Sequence, residues 1–224
     1  MRALGGMKAR PARTATPTPR RRPRQSRAQH TSRALQEALV QLLAQHDYAD
    51  ISIREIVSVA GTSLGSFYQY FASKDDLARV CLHLRSKALL SAMQDAAERC
   101  AGQPLAHVAG AIVLAMADAH REHASEWAAH YLLERHLSGV QAYRKMYERF
   151  VQGWAQAYGD AANPPQAEHL HEAALVSHTL VYGLFSNAFI GSRGKLDIDQ
   201  VARRAQAAVQ ACLQGAGSND GPGA

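Results

Sequence analysis

The sequence predicts an all-α protein of about nine helices. Three observations predict it. Apolar residues recur at intervals of three and four, as in Leu35, Ala38, Leu39, Leu42 and Leu43. Helix N-cap signals and Gly/Pro punctuation alternate along most of the chain. No segment shows the strict apolar–polar alternation of a half-buried strand, and no unit repeats.

The elements follow in order. Ser26, with Gln29 three residues on, predicts the start of a first helix that ends near His46-Asp47. Ser52 predicts a second N-terminus: it caps, Glu55 reciprocates, and Ile51 can staple onto Ile56. Gly61 ends that helix where a left-handed residue is needed. A third, short helix starts near Ser63. A fourth starts at Ser73, with Asp76 at the reciprocal position and Leu77 behind it, and runs to about Arg99. Later helices are predicted over 104–122, 124–136, 139–158, 166–191 and 197–213, separated by Gly102-Gln103-Pro104, Gly139, Asn163-Pro164-Pro165 and Gly191-Ser192-Arg193-Gly194.

The 224 residues allow one or two domains with a sizeable core. Residues 1–26 hold eight bases and no acid, which leaves 17 bases against 19 acids in the rest. The basic character therefore lies in an arm, whose Pro, Arg and Thr content predicts disorder. Nucleic acid is the commonest partner of such a tail; a solvated tail without a partner is the alternative. No run reads as long and apolar enough to cross a bilayer, so no membrane partner is expected. The start lacks the apolar segment of a secretory signal, and its prolines fit a transit peptide poorly. Cys81, Cys100 and Cys212 are too far apart for a disulfide framework, which fits a reducing, cytoplasmic setting. The end, from Gly215, reads as a second flexible tail.

The third helix, Thr62-Ser63-Leu64-Gly65-Ser66-Phe67-Tyr68-Gln69-Tyr70-Phe71, concentrates four of the chain's fifteen aromatics in five positions. So short a helix is unstable alone and must be held by packing. On a helical wheel Leu64, Phe67, Tyr68 and Phe71 fall on one side, with Phe67 and Phe71 as anchors. Gly65, Ser66, Gln69 and Tyr70 fall on the other. That second face is small and polar. It suits base edges and phosphates, and the tyrosines can pack a ring while presenting a hydroxyl. Residues 53–71 thus read as a helix-turn-helix with a recognition helix.

Here the chain resembles the TetR family of transcriptional regulators. The matching residues are Ser52-Ile53-Arg54-Glu55-Ile56, Ala60-Gly61-Thr62-Ser63, Gly65-Ser66-Phe67-Tyr68-Gln69-Tyr70-Phe71 and Ser73-Lys74-Asp75-Asp76-Leu77. Val57 and Thr62 depart from the usual Ala and Val of the family. The resemblance implies a helix-turn-helix domain over 27–87, a ligand-binding and dimerisation domain over 88–214, and terminal segments 1–26 and 215–224. It implies that Arg54 reaches a base. Ser52 and Ser63 offer capped helix N-termini to phosphates, and Leu64, Gly65 and Ser66 enter the major groove. Tyr68 and Tyr70 touch phosphate or sugar, and Lys74 binds a phosphate. Thr62 and Gln69 complete the polar set. The partners implied are a palindromic double-stranded operator, a second copy of the chain and a small-molecule effector.

Residues 27–80 carry five bases and six acids. That balance is poor for a polyanion binder, so the arm is expected to supply much of the non-specific affinity. Deleting residues 1–24 is then expected to flatten the salt dependence of DNA binding.

For the larger domain the expected pocket side chains are Met93, Met116, Trp127, Tyr131, Met146, Phe150, Trp154, His178 and Tyr182, which suit an apolar ligand with a few polar handles. The expected dimer stripe is Ala173, Val176, Leu180 and Leu184 with Val201, Ala205, Ala208 and Val209. His120/His123 and His169/His171 have metal-like spacing but no accompanying carboxylate or Cys cluster, so no metal and no cofactor is expected. No nucleophile motif or phosphate loop is present, which argues against an enzyme. The competing reading is a helical adaptor or nucleoid-type protein whose arm binds nucleic acid without sequence preference.

Overall fold

In the computed structural model the described residues are 23–122, 124–192 and 196–217, and all regular structure among them is helical. The nine helices are α1 (Pro23–Leu43), α2 (Ile53–Val59), α3 (Leu64–Tyr70), α4 (Lys74–Arg99), α5 (Leu105–Glu122), α6 (Ala124–Leu137), α7 (Val140–Gly159), α8 (Ala167–Gly191) and α9 (Ile198–Gly217).

Two boundaries correct the sequence reading. Helix α1 runs from Pro23, so Ser26 lies inside it and not at an N-cap. Proline is tolerated in the first turn because its missing N–H has no intrahelical acceptor there. Helix α9 runs to Gly217, into the segment expected as a tail. The expected arm up to residue 22 and the end from 218 lie outside the described residues.

Helices α1 to α3 and the start of α4 make a head. Its core is Leu35, Leu39, Ile51, Ile56, Phe67, Phe71, Leu77 and Leu82, joined by Leu133 from α6. The larger core holds α4 to α9, with Met93, Ile112, Trp127, Trp154, Tyr158, Val181 and Phe185 in its interior. Helix α4 serves both cores, with Leu77 and Leu82 in one and Leu89 and Met93 in the other. It lies along α5, while α7 and α9 flank α8.

Helix α8 corrects a further expectation. By length and composition Ala167–Gly191 is apolar enough to cross a membrane. One face of it packs in the core: Ala174, Ser177, His178, Val181, Phe185 and Phe189 are buried.

Candidate functional site

The head positions α2 and α3 through local chemistry. The Ser52 hydroxyl accepts from the Glu55 N–H at 3.2 Å, and Glu55 accepts from the Ser52 N–H at 2.7 Å. The Ser52 N–H first, and then the Ser52 hydroxyl, which donates to the same carboxylate at 2.8 Å, hold the Glu55 carboxyl below its usual range. Ile51 and Ile56 are both buried, as a staple across that cap requires. Gly61 has φ +61°, which glycine adopts without a Cβ penalty, and the chain turns there into α3. The Ser63 hydroxyl then caps α3 by accepting from the Ser66 N–H at 3.1 Å.

Phe67 and Phe71 root α3 in the head core. The buried stripe is narrower than the wheel suggested. Leu64 is 41% exposed and Tyr68 55% exposed, and both turn outward with Gly65, Gln69 and Tyr70, while Ser66 is half-buried. A helix of two turns needs only one i, i+4 pair to anchor it, which leaves the rest free. A Cβ at Gly65 would meet only the Ser63 Oγ at 3.8 Å, an ordinary contact. Glycine at that position therefore costs helix stability without any internal packing reason.

Ser52 and Arg54 are exposed on the same head, and Thr62 is half-buried in the turn. Lys74 is more engaged than expected. Its ammonium donates to the Tyr48 carbonyl at 2.6 Å and the Ile51 carbonyl at 2.7 Å, and lies 4.2 Å from the Tyr48 ring centroid. It clasps the α1–α2 connection, with one of its three protons left over. The Tyr48 hydroxyl donates to Asp75, and burial raises its pKa first.

The larger domain holds a partly enclosed cavity of about 30 Å³, room for about one water. Seven of the nine expected pocket residues line it: Met116, Trp127, Tyr131, Met146, Phe150, His178 and Tyr182. Met93 and Trp154 do not, and sit behind it in the core. The sequence reading missed the polar Ser86, His120, His130 and Glu134 and the apolar Leu89, Val181 and Phe185 in this lining. Glu134 had a usable signal, since Trp127, Tyr131 and Glu134 form one stripe at helical spacing.

The cavity polar groups divide into satisfied and unsatisfied ones. His120 Nδ1 donates to the Met116 carbonyl at 2.6 Å, which leaves Nε2 to accept from the Tyr131 hydroxyl at 2.7 Å. Burial pushes His120 down to about 4, so it is neutral at neutral pH. Burial also pushes His130 and His178 down to about 3. His178 has no hydrogen-bond partner on either ring nitrogen, and the Trp127 indole N–H has none. The buried Glu134 carboxyl accepts from the Tyr182 hydroxyl at 3.0 Å, and burial raises its pKa.

A second, open space was not foreseen. A groove of about 810 Å³ runs between α1, α4, α5 and α6, past Val40, Leu84, Ala88 and Ala115. Here Arg85 pairs with Glu126 and stacks over the Trp127 ring at 5.4 Å.

Residues 35–81 match the family model of bacterial regulatory proteins, tetR family. The head is a TetR-family DNA-binding domain. The whole fold is similar to solved structures of such regulators. A transcriptional regulator from Rhodococcus sp. Rha1 is 21% identical, with 82% of this chain and 96% of that one covered and a TM-score of 0.67. A tetR-family regulator from Streptomyces coelicolor is 17% identical, with 86% and 84% covered and a TM-score of 0.65. The regulator FadR from Bacillus subtilis, in complex with stearoyl-CoA, is 11% identical, with 79% and 96% covered and a TM-score of 0.62. No curated protein matches the chain. At these identities the structures establish the fold alone, and the match of the head to the tetR-family model supports DNA-binding regulation.

In this TetR-type fold the expected dimer stripe needs correction. Val201, Ala205 and Val209 are buried in the chain's own core, because α9 turns its apolar face onto α5 and α8. Ala173, Val176, Leu180, Leu184 and Ala208 are half-buried. Leu175, which the sequence reading omitted, is 39% exposed. Of the spaced histidines, His120 is committed within the chain, His123 lies outside the described residues, and His169 meets Glu168 at 3.5 Å on the surface. Among the described residues no group of three or more His, Cys, Asp or Glu could hold a metal.

Proposed function

We propose that the chain is a dimeric repressor that binds a palindromic operator and is released by a small ligand in the inner cavity. The observation that carries this reading is α6, which presents two faces to two different cores. Trp127, Tyr131 and Glu134 line the cavity. Leu133 is buried in the head core, Leu137 packs against it, and His136 meets the Tyr48 ring edge-on at 5.7 Å. The cavity is nearly filled as it stands, so a ligand must push its walls outward. A shifted α6 carries Leu133 with it and re-aims the head. In a dimer this changes the separation of two heads set for half-sites about 34 Å or a multiple apart.

The same reading assigns the exposed face of α3 to the major groove. Gly65 allows close approach, Leu64 meets a thymine methyl, and Arg54 meets a guanine edge. Tyr68, Tyr70 and the third Lys74 proton meet the backbone, with the capped N-termini at Ser52 and Ser63 beside them. Less than half of the apolar window of α8 is buried within the chain. Leu175, Val176 and Leu180 leave an uncovered edge on that helix, which a second copy would cover.

The test is a footprint on DNA around the protein's own gene, with competitor DNA and a salt series. A protected two-fold palindrome supports the reading. Diffuse, salt-labile protection overturns it in favour of an arm-driven, non-specific binder. Leu175→Glu is expected to yield monomers by sedimentation and to weaken operator binding with them.

A further inference from the structure

The inner cavity has a charge character. Glu134 is the one carboxyl in its lining, and among the described residues no Lys or Arg lines it. The three lining histidines are held neutral by burial. The same lining holds the rings of Tyr131, Phe150 and Tyr182, and of Trp127, over which Arg85 already stands. Ring faces carry negative quadrupole potential, so they attract cations and repel anions.

The polar groups left over point the same way. His178 is 2% exposed, and its ring lies parallel to Phe150 at 5.0 Å with both nitrogens unpartnered. A neutral imidazole offers one acceptor nitrogen to an N–H donor. Glu134 has one hydrogen bond, from Tyr182, and the nearby charge that favours its ionisation is Arg135, exposed on the outer side of α6. A buried carboxylate without a close counter-ion is expensive, and a bound cation would relieve that cost.

Two further tyrosine rings stand against Tyr182 and His178 of this lining. Tyr143, Tyr147 and Tyr182 are half-buried, with ring centroids 5.7 to 6.3 Å apart, and Tyr147 meets His178 edge-on at 4.4 Å. Tyr182 belongs to both this ring cluster and the Glu134 hydrogen bond. Its ring and the flexible Met146 and Met116 side chains are the parts that can yield to admit a ligand.

We propose that the effector is a small aromatic cation, a protonated or quaternary amine, whose charge pairs with Glu134 inside the box formed by Tyr131, Phe150, His178 and Tyr182. This rests on the cavity being the effector site. In its ionised form the same carboxyl repels anionic ligands.

The test uses two probes of one shape and different charge, phenyltrimethylammonium and tert-butylbenzene, with benzoate as the anion. Binding to the full chain without DNA is read by calorimetry and by tryptophan fluorescence, which Trp127 reports from the cavity wall. The cation should bind roughly tenfold or more tightly than its neutral isostere. Glu134→Gln, which keeps size and the Tyr182 partner, should remove that preference and leave tert-butylbenzene binding unchanged. Should Glu134→Gln fail to fold, the probe pair on the native chain decides alone. Equal binding of the two probes, or preference for benzoate, overturns the cation inference and leaves the cavity reading standing. No binding by any probe overturns both the cation inference and the cavity reading.

Discussion

Leu133 and Glu134 are neighbours on α6, both are buried, and they bury into different cores. Leu133 joins the head with Phe67 and Leu77, while Glu134 faces the cavity with Tyr182. A step of 100° along the helix separates them. Leu133→Ala should therefore destabilise the head by about 2–5 kcal/mol. The cavity-lining stripe should stay intact. The readout is amide exchange: protection should fall in α1 to α3 and hold in α7 and α8. Uniform loss across the chain would mean that Leu133 is ordinary core and no bridge.

Gly65→Ala separates folding from reading. The protein has room for the methyl, and alanine favours a helix over glycine by about 1 kcal/mol. Thermal unfolding should shift upward slightly. Operator affinity should fall, because the added methyl stands on the exposed face of α3. A variant that is more stable and binds DNA equally well would move the reading surface away from Gly65.

These two cases mark how far the sequence could be read. The Ser52–Glu55 cap, the Gly61 turn and the Phe67–Phe71 anchor were legible because each is a local rule with a fixed spacing. The outward turn of Leu64 and Tyr68 was not, since a two-turn helix offers two apolar stripes and only tertiary contact chooses one. Val201, Ala205 and Val209 made a clear apolar stripe on α9, but a stripe does not say whether its partner is the same chain or another. Glu134 was passed over because a carboxylate reads as surface unless its neighbours are known. The groove beside Arg85 joins segments far apart in the chain and has no local signature.

Buried His120 and His178 and half-buried His130 predict acid sensitivity. His120, His130 and His178 are lowered from an unfolded value near 6.5 to about 4, 3 and 3, chiefly by burial, with the Arg85 charge adding to the first two. Above pH 6.5 they are neutral in both states and their contribution is fully present. Below it the unfolded chain takes up protons that the folded chain refuses. Stability should fall from pH 6.5 down through about 4 to 3, by up to about 1.4 kcal/mol per pH unit for each histidine. Urea midpoints between pH 7.5 and 5 measure this. His178→Phe should make the decline shallower; an unchanged slope would remove His178 from the account.

Gly153 on α7 packs against Met93 on α4. A Cβ at Gly153 would overlap the Met93 methyl, with Leu90 Cδ1 next at 3.6 Å. Met93 is fully buried, so its side chain has little space to swing. Gly153→Ala should therefore cost about 1–3 kcal/mol through overpacking, partly offset by the better helix propensity of alanine. Met93→Ala alone should cost about 2–5 kcal/mol by opening a cavity. In the double variant the new methyl enters the vacated space, so the two losses should fall short of their sum by about 1 kcal/mol or more. A double-mutant cycle in urea measures the difference. Strict additivity would show that α4 and α7 relax apart independently, and that the tight α4–α7 contact does not brace the helix which carries Leu77 and Leu82 into the head.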